Sequence, residues 1–114
     1  MADCVFCKIG AREIPAMVVY EDADIIAFRD IHPQAPAHIL IITKRHAASL
    51  DEYATEDAAL LGRLILAARQ IARQEKLADR GYRIVVNCGE DGGQAVAHIH
   101  LHLLGGRPMN WPPG

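Results

Sequence analysis

The stretch that most constrains the fold is residues 98–104, in which histidines alternate with isoleucine and leucine. An apolar–polar period of two predicts a β-strand with one face in a core. The other face would then carry His98, His100 and His102. Alternate residues on a strand lie about 6.6 Å apart, so the outer imidazoles would be about 13 Å apart. Because zinc–nitrogen bonds are only about 2 Å long, one ion is not expected to bind all three, and the imidazoles are expected to have different roles.

The composition is that of an ordinary globular domain. The chain has 114 residues, 51% of them hydrophobic, and a formal net charge of −2. This length can bury a core without disulfides, and the odd number of cysteines does not indicate a disulfide framework, so we expect one domain over residues 1–114. The sequence shows no basic stripe, no apolar run of membrane-spanning length and no secretory signal pattern. We therefore expect a cytoplasmic protein with no nucleic-acid or membrane partner.

Local patterns predict the secondary structure around the histidine strand. Short β-prone runs at residues 18–20 and 25–28, separated by an acidic turn, predict a hairpin. Residues 38–43 and 81–87 predict two further strands, while Pro33 and Pro36 exclude regular structure just before the first of them. Helical apolar spacing over residues 61–72 predicts one main helix with Thr55 as its hydroxyl cap, and Ser49 begins a capping-box pattern for a short turn of helix. Hairpin-linked strands with one long helix predict an α+β fold with a mostly antiparallel sheet.

His100, in the middle of the histidine strand, is the candidate nucleophile. An imidazole titrates near neutral pH and can act as nucleophile, base or acid. The glycine-rich turn at residues 89–94 comes just before the strand, and the N–H groups of Gly92 to Gln94, with Asn87, are donors suited to a phosphoryl group. The sequence has no P-loop and no nucleophile-elbow serine. Attack of an imidazole on phosphorus would give a covalent intermediate and divide the transfer into two displacements.

A C-x-x-C pair, Cys4 and Cys7, opens the chain and leaves three interpretations open. It could be a redox dithiol, half of a zinc site, or two small buried residues. A redox pair is expected after a strand in a βαβ pattern, whereas this pair precedes every predicted strand. Half of a zinc site would need two further ligands elsewhere in the chain.

The run H-I-H-L-H-L-L over residues 98–104 resembles the signature of the histidine-triad (HIT) superfamily. The resemblance covers nearly the whole chain, including Phe6, Asn87 and residues 14–15, 28–31, 33–36, 44–46, 92–94 and 104–107. The ending W-P-P-G resembles the Hint branch, the purine nucleoside phosphoramidases. This resemblance implies a five-stranded, mostly antiparallel sheet with one long helix and a short N-terminal helix. It also implies a homodimer in which two such sheets join into one of ten strands.

The activity implied by the resemblance is hydrolysis of the P–N bond of purine nucleoside 5′-phosphoramidates, such as AMP–amine conjugates, through a nucleotidyl-histidine intermediate. His100 would attack the α-phosphorus, His102 would contact the phosphate oxygens, and Asp30 would bind the ribose hydroxyls, with no organic cofactor. The other implied nucleotide contacts are Phe6, Ile9, Phe28 and Ile31 around the purine, Asn87, Gly93, Gln94 and Ala95 at the phosphate, and Trp111 as an element of substrate choice. Ala95 stands where many Hint proteins have serine, so weakened catalysis is expected. Two alternatives stay open: a dinucleoside polyphosphate hydrolase, and a nucleotide-binding regulatory or scaffold protein with incidental hydrolysis.

The resemblance also implies ligands for a zinc ion. Some HIT relatives bind zinc through positions that match Cys4, Cys7, His46 and His98. A set of two cysteines and two histidines fills a tetrahedron and leaves no open position, which is typical of structural zinc. The alternative is that the cysteines are simply buried and His46 lies near the phosphate.

Overall fold

Five strands form one sheet in the computed structural model, which describes residues 3–114. The strands are β1 (Val18–Glu21), β2 (Ile25–Arg29), β3 (Ala37–Thr43), β4 (Tyr82–Val86) and β5 (His100–Gly105). Their spatial order is β1-β2-β3-β5-β4, and every neighbouring pair is antiparallel. The predicted α+β fold with a five-stranded antiparallel sheet is confirmed.

Two α-helices accompany the sheet, the short α1 (Val5–Gly10) and the long α2 (Ala58–Gln74). Leu64, Ala68 and Ile71 of α2 are fully buried in one apolar cluster with side chains of β2, β3 and β5. Burying one such leucine or isoleucine contributes about 1.5–3 kcal/mol, so this face holds the helix to the sheet. None of the helices within residues 3–114 combines the length and apolar character needed to span a membrane.

The two faces of the sheet bury different side chains. Leu101 and Leu103 of β5 belong to the cluster under α2, as the period of two predicted. The opposite face packs Phe6 and Ile9 of α1 against a second cluster. Because both faces are covered, every residue of β3 is buried, and the histidines of β5 lie under α1 rather than in solvent.

The predicted hydroxyl cap of the main helix is wrong. A 3₁₀ turn, Thr55–Asp57, precedes α2, and the carboxylate of Asp57 accepts the Ala54 N–H at 2.9 Å. Likewise, Ser49 makes no side-chain cap bond at the 3₁₀ turn Leu50–Glu52, where Glu52 instead accepts the Ala48 N–H at 2.9 Å. Carboxylates satisfy these N–H groups because each can accept several hydrogen bonds and is favoured by the positive end of a helix.

Candidate functional site

His98 and the two histidines of β5 occupy different structural positions. His98 precedes β5, whereas His100 pairs with Ile42 and His102 with Leu40 across the β3–β5 ladder. His98 is fully buried and His100 is 5% exposed. The edge of the Phe6 ring packs against both imidazoles, with centroid separations of 6.0 Å to His98 and 5.1 Å to His100. Phe6 therefore separates two sites, one on the Cys4–Cys7 side and one along β5.

The side chains of Cys4, Cys7, His46 and His98 converge as the zinc interpretation requires, with all four ligand atoms within 4.8 Å of one another. The Nδ1 atoms of His46 and His98 are 3.3 Å apart. The Sγ atom of Cys4 is 3.3 Å from His98 Nδ1, and that of Cys7 is 3.3 Å from His46 Nδ1 and 3.5 Å from His98 Nδ1. In a zinc tetrahedron with ordinary bond lengths, the N···N edge is about 3.3 Å and the N···S edge about 3.6 Å. These four residues could hold one zinc ion without rearrangement.

Local structure holds each member of this cluster in place. Cys4 caps α1, and its Sγ accepts the Cys7 N–H at 3.4 Å, so the two cysteines lie one turn apart on one helix face. The Ile99 N–H donates to the Ala47 carbonyl at 2.7 Å, which joins the segment after His46 to the segment after His98. The early position of the C-x-x-C pair is thus explained by a helix that reaches across the sheet to both histidines.

Hydrogen bonding prepares His98 as a ligand. Its Nε2 lies 2.7 Å from the Thr43 carbonyl, so the ring proton sits on Nε2 and the Nδ1 lone pair faces the cysteines. Burial lowers the pKa of His98 and favours the neutral imidazole that metals bind. Burial, followed by the neighbouring Cys4, raises the pKa of the Cys7 thiol, so binding a metal here must displace a proton.

His100 has the tautomer of a nucleophile. Its Nδ1 lies 2.7 Å from the His98 carbonyl and must donate to it, because a carbonyl only accepts. The proton of the neutral ring is therefore on Nδ1, and Nε2 carries a free lone pair. The His102 ring lies beside it, with centroids 5.0 Å apart.

His38, which the sequence analysis did not select, controls the tautomer of His102. The Gln34 N–H donates to His38 Nδ1 at 3.0 Å, so the proton of neutral His38 is on Nε2. That Nε2 lies 2.9 Å from His102 Nδ1 and 3.4 Å from an Asp30 carboxylate oxygen. His102 Nδ1 therefore accepts, and its Nε2–H is available to a ligand.

Asp30, His38 and His102 also lie close enough together to suggest a metal site. The hydrogen bonds argue against this, because the His38 nitrogen that faces the other two carries a proton and has no lone pair to give. At His98 the carbonyl partner leaves the inward nitrogen bare, whereas at His38 the N–H partner leaves it protonated. We therefore interpret this trio as a hydrogen-bonded chain.

Both members of that histidine pair are held neutral. Burial, with the neighbouring His100 and His38, lowers the pKa of His102 to about 4. Burial also lowers the pKa of His38, against the opposing effect of the Asp30 carboxylate. At neutral pH the pair thus offers a fixed N–H donor rather than a cation.

The glycine-rich turn departs from the expected anion cradle. The N–H groups of Gly93 and Gln94 donate to the carbonyls of Glu90 and Gly89, at 3.0 and 3.1 Å. The Gln94 side chain accepts the Gly89 N–H and donates to the carbonyls of Ala48 and Val96. The expectation that the Gly93 and Gln94 N–H groups face a phosphate is wrong for this structure, because the turn uses them internally. Gln94 acts as the brace of the turn.

The remaining predicted nucleotide contacts are spread over the rim. Phe6, Ile9 and Phe28 are buried in one cluster, whereas Ile31 is 86% exposed. Next to them is a cavity of about 290 Å³ that sequence reasoning missed, lined by Ile9, Arg12, Ile14, Pro15, Ala16 and Val18. Asn87 is partly exposed just after β4, and Ala95 is exposed after the turn. Trp111 is 81% exposed, with the Arg83 guanidinium 6.0 Å from its ring centroid.

The HIT domain family model matches residues 11–109 of this chain. The chain belongs to the HIT domain family. A crystal structure of a HIT family hydrolase from Legionella pneumophila Philadelphia 1 matches with a TM-score of 0.97 and 54% identity, covering 98% of this chain and 100% of that one. The likeness therefore includes the irregular segments of the HIT domain as well as its strands.

Two further HIT relatives carry zinc in their names. A 14 kDa zinc-binding protein of Brassica juncea is 52% identical over 114 residues, covering 98% of this chain and 100% of that protein. A Zn-bound histidine triad family protein from Mycobacterium smegmatis matches with a TM-score of 0.79 and 32% identity, covering 93% of this chain and 76% of that one. Zinc thus occurs in relatives of this HIT domain, in agreement with the donor geometry found here.

The pKa of His102 predicts how the stability of this HIT domain changes with pH. An unfolded imidazole binds a proton near pH 6.5, whereas folded His102 resists protonation until about pH 4. Between these values the unfolded state binds more protons, so lowering the pH favours unfolding. We expect His102 to remove about 2 kcal/mol from the free energy of unfolding between pH 7.5 and pH 5. Urea unfolding at both pH values should show a shallower loss in His102→Gln than in wild type, and equal losses would contradict this result.

Proposed function

We propose that this HIT protein hydrolyses purine nucleoside 5′-phosphoramidates with His100 as the nucleophile. The observation that carries the proposal is the bond from His100 Nδ1–H to the His98 carbonyl, 2.7 Å long, which leaves the Nε2 lone pair free. Membership of the HIT family and the likeness to a HIT family hydrolase support hydrolysis as the reaction class.

The proposed reaction has two displacements at the α-phosphorus. In the first, the His100 Nε2 lone pair bonds to phosphorus as the substrate P–N bond breaks, and the amine leaves with a proton from solvent. In the second, a water oxygen bonds to phosphorus as the P–Nε2 bond breaks, and the proton of that water returns to solvent. The products are a nucleoside monophosphate and an amine, and His100 is regenerated.

Neutral His102 would assist both steps as a hydrogen-bond donor. Its Nε2–H is fixed by the His38 contact at Nδ1, and its lowered pKa keeps it uncharged at neutral pH. A donor held in place beside the nucleophile can stabilise charge on the phosphoryl oxygens without reorganising during the reaction.

Other contacts would hold the nucleotide in this orientation. Asp30 would accept hydrogen bonds from the ribose hydroxyls, and Phe6, Ile9, Phe28 and Ile31 would surround the purine. Asn87 would contact the phosphate, while Gly93, Gln94 and Ala95 would shape its loop, and Trp111 would affect the choice of leaving group. The closeness of Phe6 to both Phe28 and His100 supports this arrangement, since it places the apolar cluster beside the nucleophile.

We also propose that Cys4, Cys7, His46 and His98 bind one structural zinc ion. The four donors match the edges of a zinc tetrahedron and leave no position open for substrate. Zinc bound there would supply stability by joining α1 to the segments that follow β3 and precede β5.

A homodimer formed along β4 is a further part of the proposal. β4 is an edge strand of the sheet, and its Tyr82 and Val86 are 36% and 40% exposed. Pairing with a second copy would cover this edge and join the two sheets into one of ten strands. Sedimentation of the purified protein as a monomer at assay concentrations would contradict this.

Comparison of substrates tests the proposed function. We expect kcat/KM for an AMP–amine conjugate to exceed that for diadenosine polyphosphates by at least about 100-fold, a transition-state difference of about 2.7 kcal/mol. Initial rates on both substrate types at equal enzyme concentration provide the measurement. The reverse preference would indicate a dinucleoside polyphosphate hydrolase. Tight AMP binding with negligible turnover of either substrate would instead indicate a regulatory protein.

A further inference from the structure

Arg107, just after β5, reaches back to the loop between β2 and β3. Its Nε and Nη2 atoms both donate to the Gln34 carbonyl, at 3.1 and 3.0 Å, and its Nη1 donates to the Pro108 carbonyl at 2.9 Å. A planar guanidinium that makes two bonds to one oxygen restricts both the position and the direction of that carbonyl.

The contact between tail and loop is also steric. Gly106 has a φ of +92°, and a Cβ placed on it would lie 2.8 Å from Pro36 Cβ. Glycine therefore permits both the left-handed turn and the close approach that bring Arg107 to Gln34.

Gln34 connects this contact to the histidines. While its carbonyl is held by Arg107, its own N–H donates to His38 Nδ1 at 3.0 Å. That bond keeps the His38 proton on Nε2, from which it reaches His102 Nδ1 at 2.9 Å. If the Gln34 residue turned away, His38 Nδ1 could carry the proton instead, and the donor of His102 would no longer face the nucleophile side.

We propose that Arg107 is a positioning residue, which orients Gln34 so that His38 and His102 keep the tautomers with protonated Nε2. Its kinetic consequence rests on the function proposed above, whereas its effect on the tautomers rests only on the hydrogen bonds from Arg107 to His102. Arg107 touches no reacting atom in this scheme and acts through the loop.

Two substitutions and a matched control test this role. Arg107→Met removes the donors but keeps an apolar stem, and Arg107→Lys keeps the charge but not the planar two-point donor. The control is Arg80→Met, which removes a second arginine that lines the same surface cavity as Arg107 and makes no side-chain hydrogen bond within residues 3–114. Nitrogen-15 NMR of histidine-labelled, zinc-loaded protein at neutral pH reports the protonated ring nitrogen of His38 and His102.

We expect both histidines to carry their proton on Nε2 in wild type and in Arg80→Met. In Arg107→Met the two rings should become tautomer mixtures, kcat for an AMP–amine conjugate should fall about tenfold, and KM should change by less than about twofold. Arg107→Lys should recover part of both effects. If Arg107→Met does not fold, as judged by its thermal melt, Arg107→Lys against wild type provides the same comparison.

Unchanged tautomers in the Arg107 variants would overturn the positioning role, whether or not kcat falls. Altered tautomers with unchanged kcat would overturn its kinetic consequence. A wild-type protein that does not hydrolyse phosphoramidates would contradict the proposed function, and the NMR comparison would still decide the role of Arg107.

Discussion

Replacing His100 with alanine is expected to lower kcat for an AMP–amine conjugate by at least about 10⁴-fold, because no other group in the site can form the covalent intermediate. The loss should come from chemistry, since the apolar cluster and Asp30 that would bind the nucleoside remain. AMP binding measured by calorimetry should therefore stay within about threefold of wild type, a difference of less than 1 kcal/mol.

Mass spectrometry of the quenched reaction gives a second test of the same residue. Wild-type protein should show a fraction of molecules heavier by one nucleotidyl group, and His100→Ala should show none. The matched control is His32→Ala, which removes an exposed imidazole from the neighbouring loop and should keep wild-type kcat. Undiminished turnover in His100→Ala would rule out the mechanism.

The zinc cluster leads to the second large effect. Protein purified without added zinc is expected to contain about one equivalent per chain, and Cys4→Ser to contain almost none, because a closed tetrahedral site needs all four ligands. A metal present at about 1,000 times its Kd stabilises the folded state by about 4 kcal/mol. For a domain of this size, we expect its loss to lower Tm by about 20 °C.

The exposed Cys88 provides the matched control for the zinc experiment. Cys88→Ser makes the same chemical change outside the cluster and should keep both the metal and the Tm of wild type. Elemental analysis with differential scanning calorimetry measures the two quantities on the same samples. A metal-free wild-type protein that melts at the same temperature as the zinc-loaded one would contradict the structural role.

Features set by local sequence patterns could be predicted. The period of two placed Leu101 and Leu103 in the core under α2 and His100 on the opposite face. The spacing argument that separated the histidines also led to the correct division, although His98 lies before the strand and not on it. Resemblance supplied the grouping of the two cysteines with His46 and His98, which spacing alone left open.

Features set by contacts between distant segments could not be predicted in this way. His38 meets His102, 64 residues away in the sequence, only because β3 pairs with β5. Arg107 meets Gln34 across 73 residues. The internal bonds of the glycine-rich turn were missed for a different reason, since a sequence shows which N–H groups exist but not which carbonyls they find.

His98 contributes to two sites through different atoms. Its ring faces the cysteines, and its backbone carbonyl orients His100. Every amino acid has that carbonyl, whereas few have a side chain that binds a metal. Evolution can therefore change the metal content of a lineage at position 98 while the orientation of the nucleophile is inherited unchanged. Within such a family, metal dependence and catalytic competence are separable traits.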